Sequence, residues 1–165
     1  MKKVLIASLC LLSLNSVANV TGVYEVKRGF AETLAISETE QLGKYKFIMK
    51  DANNNKLKIK GSLRGILDPS TQTLSHTLVN SERTGTLITD GDSVTNVYGG
   101  DPVCANGVTH FQVEETLYIV AGTGIYSGVQ AGSYVVVDGV IGNCAASSGY
   151  LQNDFTVTGG MITFN

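Results

Sequence analysis

Among the side chains able to do chemistry in this chain the carboxylates stand out, and the alternating segments that carry them decide what each could do. In the run Val108 to Ala121, His110, Gln112, Glu114, Thr116 and Tyr118 project to one face, while Phe111, Val113, Glu115, Leu117 and Ile119 project to the other. Either row could line an interior. With the apolar row inward, Glu115 is a carboxyl in an oily environment, where lost hydration raises its pKa and suits it to proton transfer. The competing reading is an inert, hydrogen-bonded glutamate near a rim. Asp138 faces the same choice in the row Tyr134, Val136, Asp138, Val140, where a rim or turn role beside Gly139 is the simpler account. His76, between Leu74 and Leu78, reads as a core or solvent histidine, with general base as the alternative.

Metal chemistry has little to draw on. The two histidines, His76 and His110, are far apart in sequence, so no histidine-based site is expected. Asp90-Gly91-Asp92-Ser93 and Asp101 offer oxygen ligands without the spacing of a calcium loop, and read as acidic turns. Gly122-Thr123-Gly124 is followed by neither a helix nor a lysine, so it is no phosphate cradle. The expectation is neither cofactor nor metal. Cys104 and Cys144 lack a histidine at any signature spacing of a cysteine nucleophile. In an oxidising compartment the pair reads as a disulfide, stabilising by about 3–4 kcal/mol if unstrained.

The compartment follows from the opening residues. Met1-Lys2-Lys3, the apolar run Val4 to Leu14 and Asn15-Ser16-Val17-Ala18 have the order of a secretory signal peptide, with cleavage after Ala18. That run has 11 residues, against about 20 for a membrane-crossing helix, and no later run is as long. Cys10 follows Leu9 rather than the small residue that lipid attachment wants. The expectation is a signal peptide over residues 1–18 and one secreted or periplasmic domain over 19–165 that does not span a membrane. Its 147 residues suffice for a single core.

Charge is unevenly spread. Residues 19–83 carry all ten remaining Lys and Arg against seven acids, and residues 84–165 carry seven acids and no Lys or Arg. The simpler expectation is that strands from the two halves alternate in space and the asymmetry averages out. The alternative is a polarised surface favouring charged partners or self-association. The lysines at 44, 46, 50, 56, 58 and 60 read as the solvent face of one hairpin in an acidic chain, so no nucleic-acid binding is expected.

Period-two alternation dominates the rest. Tyr45, Phe47 and Met49 share a face opposite the lysines, and Leu57, Ile59, Leu63 and Leu67 repeat the pattern after the turn-forming Asp51 to Asn55. Further strands are expected over Gly22 to Arg28, Phe30 to Glu38, Thr71 to Asn80, Thr84 to Thr89, Ser93 to Tyr98, Ser133 to Ile141 and Phe155 to Phe164. So many short strands predict an all-β domain. A single antiparallel closed barrel of about eight strands is favoured over a sandwich, because closure removes exposed edges.

The most specific stretch runs from Glu114 to Gly128, where a strand enters Gly122-Thr123-Gly124-Ile125-Tyr126 and ends at another glycine. It resembles the allene oxide cyclase barrel family and its dirigent-protein relatives. Gly122 and Gly124 are expected to allow backbone angles closed to other residues, and Tyr126 to return an aromatic ring to the barrel. Val23-Tyr24-Glu25-Val26 is similar to the first strand of the plant cyclases, which places Glu25 at their acting carboxylate. Lys27 stands where that family has an asparagine, and the downstream Ser-Pro of its water site is missing, so that particular reaction is not carried over.

Three functional readings stand side by side. The leading one is a lumen that binds a small apolar or amphipathic molecule, lined by Tyr118, Tyr126 and Tyr134. The second is a cyclase or isomerase with Glu25 or Glu115 as acid or base. The third is an interaction module whose polarised surface docks a partner or another copy of itself.

Overall fold

The computed structural model describes residues 18–99, 111–143 and 152–165, and of Asn143 the backbone. The expected signal peptide apart from Ala18, Asp101, His110, and the Cys104 and Cys144 of the expected disulfide lie outside the described residues.

The described residues form nine strands and no helix: β1 (Gly22–Ala35), β2 (Glu40–Lys50), β3 (Lys56–Asp68), β4 (Thr73–Asn80), β5 (Gly85–Thr89), β6 (Ser93–Gly99), β7 (Phe111–Gly124), β8 (Ser133–Asn143) and β9 (Gln152–Phe164). Every pairing is antiparallel. Strands β1 to β5 follow one another round the wall, β5 pairs with β7, and β8 and β9 lead back to β1. Eight strands thereby close a barrel, and β6 is an extra strand on β7. The segments expected over Gly22 to Arg28 and Phe30 to Glu38 are one strand, whose register with β2 slips between Val26 and Arg28. A bulge there re-aims the strand without ending it.

Because the strands run round the barrel in chain order, the two halves of the sequence do not alternate in space. The expected averaging of charge fails for that reason, and the lysine-rich β2–β3 hairpin keeps its own side of the barrel. Its turn is set by Asp51, whose Oδ1 accepts the amide hydrogens of Asn53 and Asn55, each at 2.8 Å. Asn54 takes the left-handed φ of 62° there.

The inward rows fill the lumen. Tyr45, Phe47, Met49, Ile59, Leu78, Leu87, Ile119 and Ile162 are all essentially without exposure, and each apolar side chain so buried stabilises by about 1.5–3 kcal/mol. The end where β1 begins and β7 finishes is closed by rings, with Tyr126 and Tyr24 both packed on Phe164 at centroid distances of 6.0 and 6.1 Å. Gly124 there has the left-handed φ of 58° expected of it. Gly122 does not; its need is space, since a Cβ would lie 2.1 Å from the carbonyl oxygen of Tyr126.

The other end is open. β4 and β5 pair over Thr77–Val79 and Thr86–Ile88, and the chain then bends so that β6 stays on β7 and leaves β4. Beyond the bend the backbone pairing on that side is reduced, among the described residues, to the bridge between Leu74 and Asp92. The barrel mouth is therefore split between β4 and β6.

Candidate functional site at the barrel mouth

The bend creates the site. Thr89 pairs with Ile119 and Ser93 with Thr116, so residues 90–92 pass opposite Leu117 and Tyr118 without ladder geometry. Asp90 N–H donates to the Tyr118 carbonyl at 3.0 Å. The Tyr118 amide donates instead to the side chain of Asp92, at Oδ1 and 2.7 Å. A buried amide left without an acceptor costs about 1–3 kcal/mol, so the Asp92 carboxylate substitutes for a missing carbonyl.

Its other oxygen reaches β4. Asp92 is fully buried, and its Oδ2 lies 2.6 Å from Nδ1 of the buried His76 and also accepts from the Thr89 hydroxyl. Thr89 Oγ1 in turn accepts the His76 amide hydrogen at 2.8 Å.

The tautomer of His76 follows from a chain of hydrogen bonds anchored in the backbone. Gly142 N–H donates to Asn153 Oδ1 at 3.0 Å, which turns the Asn153 amino group toward Thr33 Oγ1 and Gln41 Oε1, at 3.0 and 2.9 Å. Thr33 Oγ1 donates to the same Gln41 oxygen at 2.5 Å. The Gln41 amino group is thereby turned toward His76 Nε2, 3.1 Å away. That nitrogen accepts, and the ring proton sits on Nδ1, where it donates to Asp92.

Glu115 stands beside this pair. It projects from β7 in the inward row with Val113, Leu117 and Ile119 and is only 5% exposed. Its Oε1 is buried with no hydrogen-bond partner among the described residues. Burial pushes its pKa up from 4.5 to about 7, and the Asp92 carboxylate adds to the shift. Ligand atoms of His76, Asp92 and Glu115 all lie within 4.8 Å of one another, close enough to converge on a cation. The hydrogen-bond chain favours a proton at that place, because a metal on Nδ1 would have to displace the hydrogen that Gln41, Asn153 and Gly142 direct there.

Above the cluster lies an open cavity of about 420 Å³ in the split mouth. Leu67, Leu74, Val94, Phe111 and Ile141 give it apolar walls, and Gln41 and Asn153, with Thr39 and Ser93, line its polar side. Gln41 uses one amino hydrogen on His76, which leaves the other for a bound molecule.

No protein-family model, curated protein or solved structure matches the chain.

Of the residues singled out in the sequence, the structure brings Glu115 and His76 together at the mouth and scatters the rest. Glu25 is exposed on the outer wall and ion-paired with Lys27. Tyr118 and Tyr134 face outward at 43% and 39% exposure, so neither lines the lumen, because the inward rows of β7 and β8 are the alternate ones. Tyr126 is buried, in the core at the closed end. Asp138 also lies on the outer row, directly opposite Glu114. Asp92, expected in an ordinary acidic turn, is a buried member of the site instead. Thr89, Gln41, Thr33 and Asn153 carried no sequence signal of their own.

Proposed function

We propose that this chain is an exported barrel, a distant cousin of the allene oxide cyclase and dirigent barrels, that binds a small amphipathic molecule at its mouth. The observation that carries the binding proposal is the cavity between β4 and β6, apolar on its walls and polar toward Gln41 and Asn153. Mouths of β-barrels with a few convergent polar groups are favoured places for such ligands. The packed lumen leaves the mouth as the place for one. Kinship is supported by the closed eight-stranded order and by the Gly122–Tyr126 turn, and export to the periplasm or beyond by the order of residues 1–18.

Native mass spectrometry on protein recovered from its own host tests the binding. A small molecule should travel with the wild-type protein and be missing from Leu74→Arg, which fills the cavity. A wild-type protein that takes up no apolar or amphipathic compound in a screened set would end the proposal.

A second reading is acid–base catalysis, a cyclase or isomerase in which Glu115 moves the proton. It is favoured by the carboxyl poised near neutral pH with one oxygen unengaged. Glu115→Gln should then abolish turnover while the protein still folds, and retained turnover would reject it.

A further inference from the structure

On the β2–β3 and β7–β8 ladders of the barrel wall, three pairings set like charges opposite each other. On the β2–β3 hairpin, Lys46 lies directly opposite Lys60 and Lys50 directly opposite Lys56. Among the described residues none of the four makes an ion pair with a carboxylate. On β7–β8, Glu114 lies directly opposite Asp138; hydroxyls of Thr95 and Tyr98 on β6 donate to the two Glu114 oxygens, at 2.8 and 3.2 Å, and Asp138 Oδ1 is buried with no hydrogen-bond partner among the described residues. Strands β5 to β9 hold no lysine or arginine to relieve that pair. Like charges placed opposite each other across a ladder destabilise a sheet. Lys50 has Glu25 opposite it on β1, whereas Lys46 has Phe30 there, so the Lys46–Lys60 pair and the Glu114–Asp138 pair are the two sets left without an opposite charge across a ladder, and each suits the other.

The topology places the two sets on opposite sides of the molecule. Counting round the closed wall, β2 and β7 are four strands apart in either direction, and so are β3 and β8. The acidic side also carries an outward apolar ladder, Tyr118 opposite Tyr134 opposite Met161, at 39–44% exposure. Aromatic and methionine side chains of this kind are enriched at protein–protein contacts, and charge complementarity sets the register of such contacts.

We propose that the protein stacks on itself, the basic β2–β3 face of one copy docking on the acidic β7–β8 face of the next. A contact between two different faces on opposite sides of one molecule is heterologous and does not close a two-fold dimer; it propagates as a row of copies. The mouth, at the end of the barrel, stays open in such a row.

Sedimentation velocity over a concentration series tests this. At about 20 mM salt the protein should sediment as a concentration-dependent series of oligomers, and at about 500 mM, where exposed charges are screened, as a monomer. Lys46→Glu with Lys60→Glu, and separately Glu114→Lys with Asp138→Lys, should each weaken association at least tenfold at low salt. Equimolar mixing of the two double variants should restore it, because each then offers the face the other lacks. Circular dichroism confirms that each double variant is folded. Should either fail to fold, Lys46→Gln with Lys60→Gln and Glu114→Gln with Asp138→Asn replace them and should also weaken association. A protein monomeric at both salt concentrations, association indifferent to salt, or two singly reversed variants that associate like wild type would each overturn the proposal.

Discussion

The carboxylate of Asp92 accepts the Tyr118 amide hydrogen on one oxygen, at 2.7 Å, and the His76 ring on the other, at 2.6 Å. One side chain thus ties the bend after β5 to β4 and to β7 at once. Asp92→Ala takes the acceptor from three donors, the Tyr118 amide, the His76 ring and the Thr89 hydroxyl, at about 1–3 kcal/mol for each left buried and unpaired. The expected loss of folding stability is about 2–5 kcal/mol, read from urea unfolding midpoints. A loss below about 0.5 kcal/mol, the range of ordinary surface changes, would contradict this role.

Glu115 makes stability fall as pH rises. Its folded pKa, about 7, lies above its ordinary value of 4.5, so the folded protein holds the proton more tightly than the unfolded chain does. Its favourable contribution is complete below pH 4.5 and is lost as pH climbs to about 7, a change on the order of 3 kcal/mol. Glu115→Gln, which cannot ionise, should flatten that part of the stability–pH curve. Parallel curves for the two proteins between those pH values would refute the assignment.

At Gly124 a Cβ would meet the Thr84 carbonyl oxygen at 1.9 Å on a left-handed backbone. Gly124→Ala is expected to destabilise by more than about 1 kcal/mol, since an incompatible backbone angle adds to the clash. Thermal melting reads this directly.

Ligand affinity should respond at the mouth and not on the wall. Phe111→Ala, at the cavity edge, should weaken binding of the mouth ligand about tenfold, or about 1.4 kcal/mol. Glu25→Gln and Tyr134→Ser, on the outer wall, should leave it unchanged in the same titration. Equal losses from all three substitutions would place the ligand elsewhere.

The proposed Cys104–Cys144 bridge predicts that exported protein shows no thiol reactive toward an alkylating reagent until it is reduced. Replacing both cysteines by alanine should cost about 3–4 kcal/mol. Free thiols in protein recovered from its own host would rule the bridge out.

The strands and their inward faces were legible in the sequence, because a half-buried strand writes its environment in alternation: Tyr45, Phe47 and Met49 are buried as their spacing requires. The same logic placed Glu115 in an apolar row, and its raised pKa follows from that row facing inward. The rest of the site was hidden. Gln41 heads the row that continues to Tyr45, Asn153 precedes Phe155 and Val157, His76 precedes Leu78, and Thr33 follows Ala31. Thr33, Gln41 and Asn153 each stand near the mouth end of an apolar row, His76 stands one place inside Leu74, and only the registers show that these members meet at one end. Asp92 lay deeper still, because its role depends on a bend that alternation does not encode. The outward placement of Tyr118 and Tyr134 was within reach, since Glu115 and Tyr118 belong to opposite rows.

The final strand, β9, lies between β8 and the first strand, β1. During synthesis the cylinder cannot be sealed until residues 152–164 have emerged; before that, the growing chain is a sheet with two raw margins, able to pair with whatever strand it meets. A stop codon or truncation that removes β9 would therefore yield a sticky, unsealed sheet rather than a slightly smaller barrel.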